Sequence, residues 1–439
     1  MNDFSTSTLR KVPSAFYRWM VLFFLSIAMF GNYYVFDSIS LVADQLKTQL
    51  NFSDFDIGQM YSYYSIAAII VLIFGGILVD KWGTKKSAIV FAIICTVSGF
   101  LTAFGSNLYV MLAGRFLLGI GSEPLIVAVT VAIAKWFKGK QLSFALGINL
   151  FLARAGTYAV DNSPSVFSGV YSGGYEGPLI LAAVVGTLAF IGIIIYAILE
   201  HRGEKLFVLG EGASTDKLNV KDFFKFNKSF WYITLLCVTF YSAIFPFRAF
   251  AIKFFMETHD ISREMAGSLI SWLPLAAMFA TPLVGLLVDY IGKRALLMYF
   301  GSILLLPVYL LMGYTDISLY VPIIMMGVAF SLIPAVMWPS VAYIVEEKRL
   351  GSAYALMTLI QQIGMALFPL IIGAANDYSG ASATNPEGYH LGMWIFSILG
   401  VLGIVFAYLL RKSETGPNGH GLEEGMKHKS QDLSTQSVT

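Results

Sequence analysis

The sequence predicts an all-α membrane protein of twelve transmembrane helices, arranged as two pseudo-symmetric halves of six. Three observations carry this expectation. Of the 439 residues, 57% are hydrophobic, 15% aromatic and only 13% charged, a composition too apolar for a water-soluble chain of this length. Apolar runs long enough to cross hydrocarbon recur along the whole chain. One segment, GGILVDKWGTKK from Gly75 to Lys86, returns in shorter form as GLLVDYIGKR from Gly285 to Arg294, so that Asp80 and Asp289, like Gly83 and Gly292, stand 209 residues apart. An offset of about half the chain marks an internal repeat.

In order, the runs lie near 18–44, 57–80, 86–105, 107–136, 141–167, 178–200, 229–256, 265–289, 294–313, 317–345, 350–377 and 390–411. Twelve is an even number, so both termini fall on one side. Each copy of the repeat ends a run with an acid, a turn glycine and two basic residues, and the next run follows at once. That pattern reads as a tight hairpin between two helices. Residues 1–17 are polar, and the first run is longer than a signal-peptide core with no small-residue cleavage site behind it, so the first helix is expected to be an uncleaved anchor. The halves are expected at 18–200 and 229–411. Between them, 201–228 carries six basic residues and reads as a linker with a surface helix near 220–226, while 412–439 is polar, lacks periodicity and is expected to be disordered.

Charge placement gives orientation. The outer connections hold only Lys47, Lys253 and Arg263, and three further arginines, Arg115, Arg154 and Arg248, fall inside spans. The remaining 23 of the 29 Lys and Arg lie at the termini and the other connections, which places both termini in the cytoplasm. A net charge of +2 without a basic patch excludes nucleic acid as a partner. Both cysteines, Cys95 and Cys237, sit within apolar runs and form no disulfide framework.

No nucleophile–base pair, metal-ligand cluster or phosphate loop emerges. Gly119-Ile-Gly121 precedes no strand, so it is not a nucleotide motif. Neither enzymatic chemistry nor a cofactor or metal is expected. Function is sought instead among the intramembrane charges, whose insertion costs about 2.5–3.5 kcal/mol and which therefore face cavities or partners. Five qualify: Asp37, Arg115, Glu123, Arg154 and Arg248. Glu123 on the fourth helix and Arg154 on the fifth are expected at one mid-membrane depth. They suit the two ends of a zwitterion, or they neutralise each other as a buried pair. Asp37 and Arg248 lie 211 residues apart, close to the repeat offset, and are read as an outer-gate salt bridge, with snorkelling of Arg248 to the interface as the alternative. Arg115 lies about 12 Å from Glu123 along the helix, beside Gly119 and Gly121, which allow close helix approach and suit it to a structural role. Tyr61 and Tyr64 at helical spacing, Trp338, and Gln361 with Gln362 offer polar tips for a cavity. None of the histidines, His201, His259, His390, His420 and His428, falls deep in a span.

The paired hairpins, together with Arg115-Phe-Leu-Leu-Gly-Ile-Gly121, resemble the major facilitator superfamily. More closely, GIGSEPLIVAV, KWFKGKQLSFALGINLFLARAGT, FYSAIFPF with Lys253-Phe-Phe, MWPSVAYIVEEKRLGSAY and LIQQIG resemble its lysosomal dipeptide transporter branch, over most of Tyr17 to Tyr378. The resemblance implies alternating access, a dipeptide substrate held by Glu123 and Arg154, cavity roles for Tyr64 and Trp338, and a coupling or helix-bonding role for Arg115; Tyr61 and Gln361 are read from their polar tips as further substrate-binding residues. It implies facilitated diffusion, with proton coupling left open. The halves are expected to rock about the site, with Asp80 and Asp289 holding the hairpins in the outward-open state. An acidic dileucine sorting signal is absent and the outer loops are short, so neither a lysosomal address nor an accessory subunit is implied; a monomer in a bacterial inner membrane, with the lipid bilayer and a small solute as its partners, is expected. A symporter of single amino acids or organic anions is the alternative within transport, and a non-transporting sensor a more distant one.

Overall fold

A computed structural model of the chain describes residues 12–137, 141–209, 225–417 and 419–424. They are nearly all helical. Helix α1 spans Ala15–Asp37. Asp54–Ala103 is one run of helix broken at Gly83 (φ 77°, ψ 161°), which divides it into spans α2 and α3. There follow α4 (Leu108–Phe137), α5 (Leu142–Asp161) and α6 (Glu176–Leu206). The second half begins with α7 (Lys228–His259), and α8 is made of Arg263–Ile270 and Trp272–Ile291. It ends with α9 (Arg294–Tyr314), α10 (Tyr320–Ile344), α11 (Leu350–Tyr378) and α12 (His390–Glu414). Gly292, between α8 and α9, has φ 69°. A positive φ is cheap only for glycine, which accounts for the glycine in both copies of the hairpin.

Ten helices among the described residues are long and apolar enough to cross a membrane on length and composition alone. Of the remaining spans, α5 falls short because Asn149 and Arg154 dilute its apolar run. Local chemistry sets several boundaries. Ser53 and Asp56 form a reciprocal capping box at the start of α2, with Ser53 N donating to Asp56 at 2.9 Å and Asp56 N to Ser53 Oγ at 3.1 Å. Asn227 accepts from Phe230 N at 2.9 Å to open α7.

Two expectations need adjustment. The fifth span stops at Asp161 rather than continuing to 167, and the chain turns through the short helices Ser163–Val166 and Ser168–Tyr171. Pro164 is the cause, since it supplies no N–H and disfavours a helical residue before it. Part of the tail is structured: α12 runs to Glu414, and residues 419–424 pack back so that Lys293 N and Arg294 N donate to the carbonyls of Glu423 and Leu422 at 3.2 and 2.9 Å. Leu422 is fully buried there. The linker helix expected near 220–226 lies mostly outside the described residues.

The interior falls into two apolar clusters. One runs through the second half and continues across the α1–α2 side of the first, away from the chain termini, through Ile39, Leu46, Ile57, Phe247, Ile270 and Tyr389. The other is confined to the first half near the termini, around Leu22, Phe91, Val129, Phe137 and Tyr196. The halves thus share a core on the distal side, opposite the termini.

Candidate functional site

Glu123 and Arg154 reach the centre because their helices close tightly on their neighbours. A Cβ at Gly119 would collide with the Tyr64 carbonyl, and one at Gly156 with the Phe30 carbonyl, so α4 seats on α2 and α5 on α1. Pro124, next in the chain after Glu123, removes an N–H from the α4 ladder and leaves the Ile120 carbonyl without its usual donor.

Both charged residues line one cavity of about 160 Å³ between the halves. That is roughly ten times the space of about 10–15 Å³ that one water needs. The first half contributes Asn32, Tyr33, Phe36, Tyr64, Ser122, Glu123, Ile126 and Arg154, and the second Tyr241, Phe245, Trp338, Gln361, Gln362 and Met365. Glu123 Oε1 accepts from the Tyr64 hydroxyl and from Gln362 Nε2, each at 3.1 Å. The Tyr64 and Ser122 hydroxyls are 3.0 Å apart, and Asn32 Nδ2 donates to Ser122 Oγ at 2.6 Å. The Arg154 guanidinium lies over the rings of Tyr33 and Phe330, at 5.5 and 5.4 Å. Among the described residues neither charge has an ion-pair partner, so the mutual neutralisation considered from sequence does not form in this structure.

The other residues singled out from sequence divide. Trp338 donates its indole N–H to the Tyr241 hydroxyl at 3.1 Å, and Gln361 Nε2 faces Met365 Sδ at 3.7 Å, both at the cavity wall. Tyr61 is not at that wall. It borders a separate cavity of about 10 Å³ with Asp37, Ser65 and Arg248. Arg115 is buried against the rings of Phe36, Tyr61 and Tyr64 at 5.2 to 5.8 Å, and its guanidinium donates to the Met60 and Val35 carbonyls at 3.3 and 3.5 Å. It ties α1, α2 and α4 together. Near the termini, Asp289 pairs with Arg294 at 2.7 Å and Arg294 also meets the Tyr343 hydroxyl at 3.1 Å. Asp80 is exposed at the matching position and is likewise engaged.

Asp37 and Arg248 do meet, at 3.8 Å, but the principal partner of Arg248 is Asp161, whose two carboxylate oxygens accept from Nη2 at 3.2 and 3.0 Å. Asp161 was not among the residues singled out from sequence. It belongs to a seam of polar contacts that closes the distal side between the halves. Lys253, fully buried, donates to both oxygens of the equally buried Asp54 at 2.7 and 2.8 Å, with Lys47 at 3.3 Å from Asp54 and Glu257 at 3.6 Å from Lys253. Lys47 lies outside the spans and is held above its usual pKa range: burial works against its charge, and the facing Asp54 carboxylate, the hydrogen bonds around it and Glu257 together more than offset that. Arg263 grips Asp44 at 2.7 and 2.6 Å. Asp377, at the end of α11, accepts from the backbone N–H groups of Asp54 and Phe55 at 2.9 and 2.8 Å, capping α2 from the opposite half. Ser62 Oγ adds a bond to the Ala366 carbonyl at 2.5 Å. The sequence signals available were Pro164, which places Asp161 at a helix end, and the acid Asp54 one residue after a capping serine; their partners are 87 and 199 residues away and carry no local mark.

Twelve helices in two similar halves around a charged central cavity define a membrane solute transporter rather than an enzyme. The chain belongs to the Major Facilitator Superfamily, whose model matches residues 25–250 and 247–436. It is similar to the lysosomal dipeptide transporter MFSD1 of Danio rerio, with 29% identity over 412 residues that cover 90% of this chain and 87% of the relative. In fold it is similar to the nucleoside transporter NupG, at a TM-score of 0.72 and 15% identity over 89% of this chain and 99% of that one. It is also similar to a bacterial homolog of the human lysosomal transporter Spinster in an inward-facing and occupied conformation, at a TM-score of 0.71 and 16% identity over 91% of this chain and 98% of that one.

Proposed function

We propose that the protein carries dipeptides across the membrane by alternating access, with Glu123 taking the α-ammonium and Arg154 the carboxylate. The observation that carries this reading is that an acid and a guanidinium line one cavity without pairing with each other. Glu123 is held by two neutral donors and Arg154 by two rings, so among the described residues neither is taken up by an ion pair. A dipeptide backbone extends at most roughly 7 Å, which adjacent helices can bridge. The relative named a dipeptide transporter adds support. Tyr64, Trp338 and Gln361 shape the wall, and a space of about 160 Å³ favours small side chains until the wall yields.

The distribution of basic residues argues for cytoplasmic termini. The distal seam is then the outer gate, and this structure is the inward-facing state. In the opposite state the two hairpins meet the facing half, and Asp80 and Asp289 hold them; Asp80→Asn is expected to shift the balance of states without abolishing binding. Counterflow of labelled Leu-Ala in proteoliposomes tests the substrate. Competition by dipeptides, and none by N-acetyl-Leu-Ala, single amino acids or organic acids, is expected; competition by organic acids with no effect of dipeptides would instead support an anion carrier built on Arg154.

A further inference from the structure

The hydrogen bonds around Glu123 have a single consistent proton order. A carboxylate only accepts, so the one phenolic proton of Tyr64 goes to Glu123 Oε1, and the contact between Tyr64 and Ser122 is made by the Ser122 hydroxyl donating to Tyr64. With its proton engaged there, Ser122 Oγ must accept from Asn32, whose amide nitrogen faces it at 2.6 Å. Gln362 likewise turns its N–H toward Glu123. Both amides are therefore oriented with their nitrogens toward this chain. Their carbonyl oxygens, Asn32 Oδ1 and Gln362 Oε1, are buried and have no partner among the described residues. The two residues are 6% and 5% exposed, belong to opposite halves and both line the cavity. An empty buried acceptor is costly unless a donor arrives to fill it.

We propose that Asn32 Oδ1, Gln362 Oε1 and Glu123 Oε2 form a three-acceptor cradle for a primary ammonium, making the N-terminal amine the specificity determinant of the substrate. The proposal rests on the dipeptide reading above and deepens it. A primary ammonium has three N–H donors, one for each acceptor, and the single carboxylate balances its charge. A secondary ammonium, as in an N-methylated peptide or one that begins with proline, leaves one acceptor empty. Because Gln362 comes from α11 and the other two acceptors from α1 and α4, the bound amine bonds to both halves at once.

The test is the affinity of purified protein for Leu-Ala and N-methyl-Leu-Ala, in wild type and in Gln362→Met and Asn32→Leu, which remove the amide, carbonyl and N–H together, at similar side-chain reach. Wild type is expected to bind the N-methyl peptide on the order of tenfold more weakly. In each variant Leu-Ala weakens and the preference falls to within about twofold. Equal binding of both peptides by wild type, or a preference that persists undiminished in both variants, overturns the cradle, the second result assigning the discrimination to crowding. Failure of every dipeptide to bind wild type sinks the dipeptide reading instead, and the same comparison between leucine and N-methyl-leucine then decides the cradle.

Discussion

Replacing Lys253 by Met should unlock the distal side. The Lys253 ammonium meets both oxygens of Asp54 across the halves at 2.7 and 2.8 Å, and both side chains are fully buried. Removing one member of a buried pair costs about 3–5 kcal/mol, because the other charge is left uncompensated. Lys47 remains 3.3 Å from Asp54 and is only partly exposed, which argues for the lower figure. The strain exists only while the halves are closed, since opening returns Asp54 to water. A loss of about 3 kcal/mol corresponds to roughly a hundredfold shift toward the distal-open state. Ser62, 1% exposed at the α2–α11 seam, supplies a reporter. In a Cys95→Ala, Cys237→Ala background, Ser62→Cys should react with a maleimide far faster when Lys253→Met is added. Adding Asp54→Asn as well removes the stranded charge and should bring the rate back toward its starting value. An unchanged rate in Lys253→Met, in protein that retains its melting temperature, would refute the gate.

The same reporter ranks the two acids around Arg248: Asp161→Asn should raise labelling more than Asp37→Asn, because Asp161 makes both short contacts and Asp37 lies at 3.8 Å. Equal effects would mean that the guanidinium is shared evenly. Truncation after Glu414 deletes the backbone partners of Lys293 and Arg294 and the Glu423 carboxylate that accepts from Leu296 N at 3.2 Å, all at the start of α9. A helix start stripped of its cap loses about 1 kcal/mol, so a lower melting temperature is expected in a thermal scan, and an unaltered one would show that the docked tail bears no load.

Much of the architecture was legible because it is written in patterns the bilayer imposes. The repeated hairpin gave the two halves, and the glycines at 83 and 292 proved to hold the positive φ that the turn requires. Glu123 and Arg154 could be singled out because a charge in hydrocarbon is conspicuous, and both line the central cavity. What stayed hidden was pairing at long range. Asp54 looked like a loop marker and Lys253 like an outer charge, yet they form the most deeply buried ion pair between the halves. Asp161 was absorbed into an apolar run expected to continue to 167, whereas the helix ends at Asp161. Tyr33, Tyr241 and Phe330 could not be told from any other aromatic among 35 Phe and 23 Tyr, since only the fold decides which ring meets a guanidinium. Asn32 is a lone amide in an apolar helix, and only its orphaned oxygen distinguishes it.

The central claim is that two charged side chains hold the two ends of one substrate. It is tested most directly by the uptake of labelled Leu-Ala into proteoliposomes bearing wild type, Glu123→Gln or Arg154→Ala. Each substitution removes one charge-assisted hydrogen-bonding partner, about 1.5–3 kcal/mol, so each variant should lose roughly ten- to a hundredfold in uptake at limiting substrate. Acetylating the amine should cost wild type heavily and Glu123→Gln little, because that contact is already gone. Wild-type uptake by both variants, or uptake of N-acetyl-Leu-Ala as fast as that of Leu-Ala, would contradict the account.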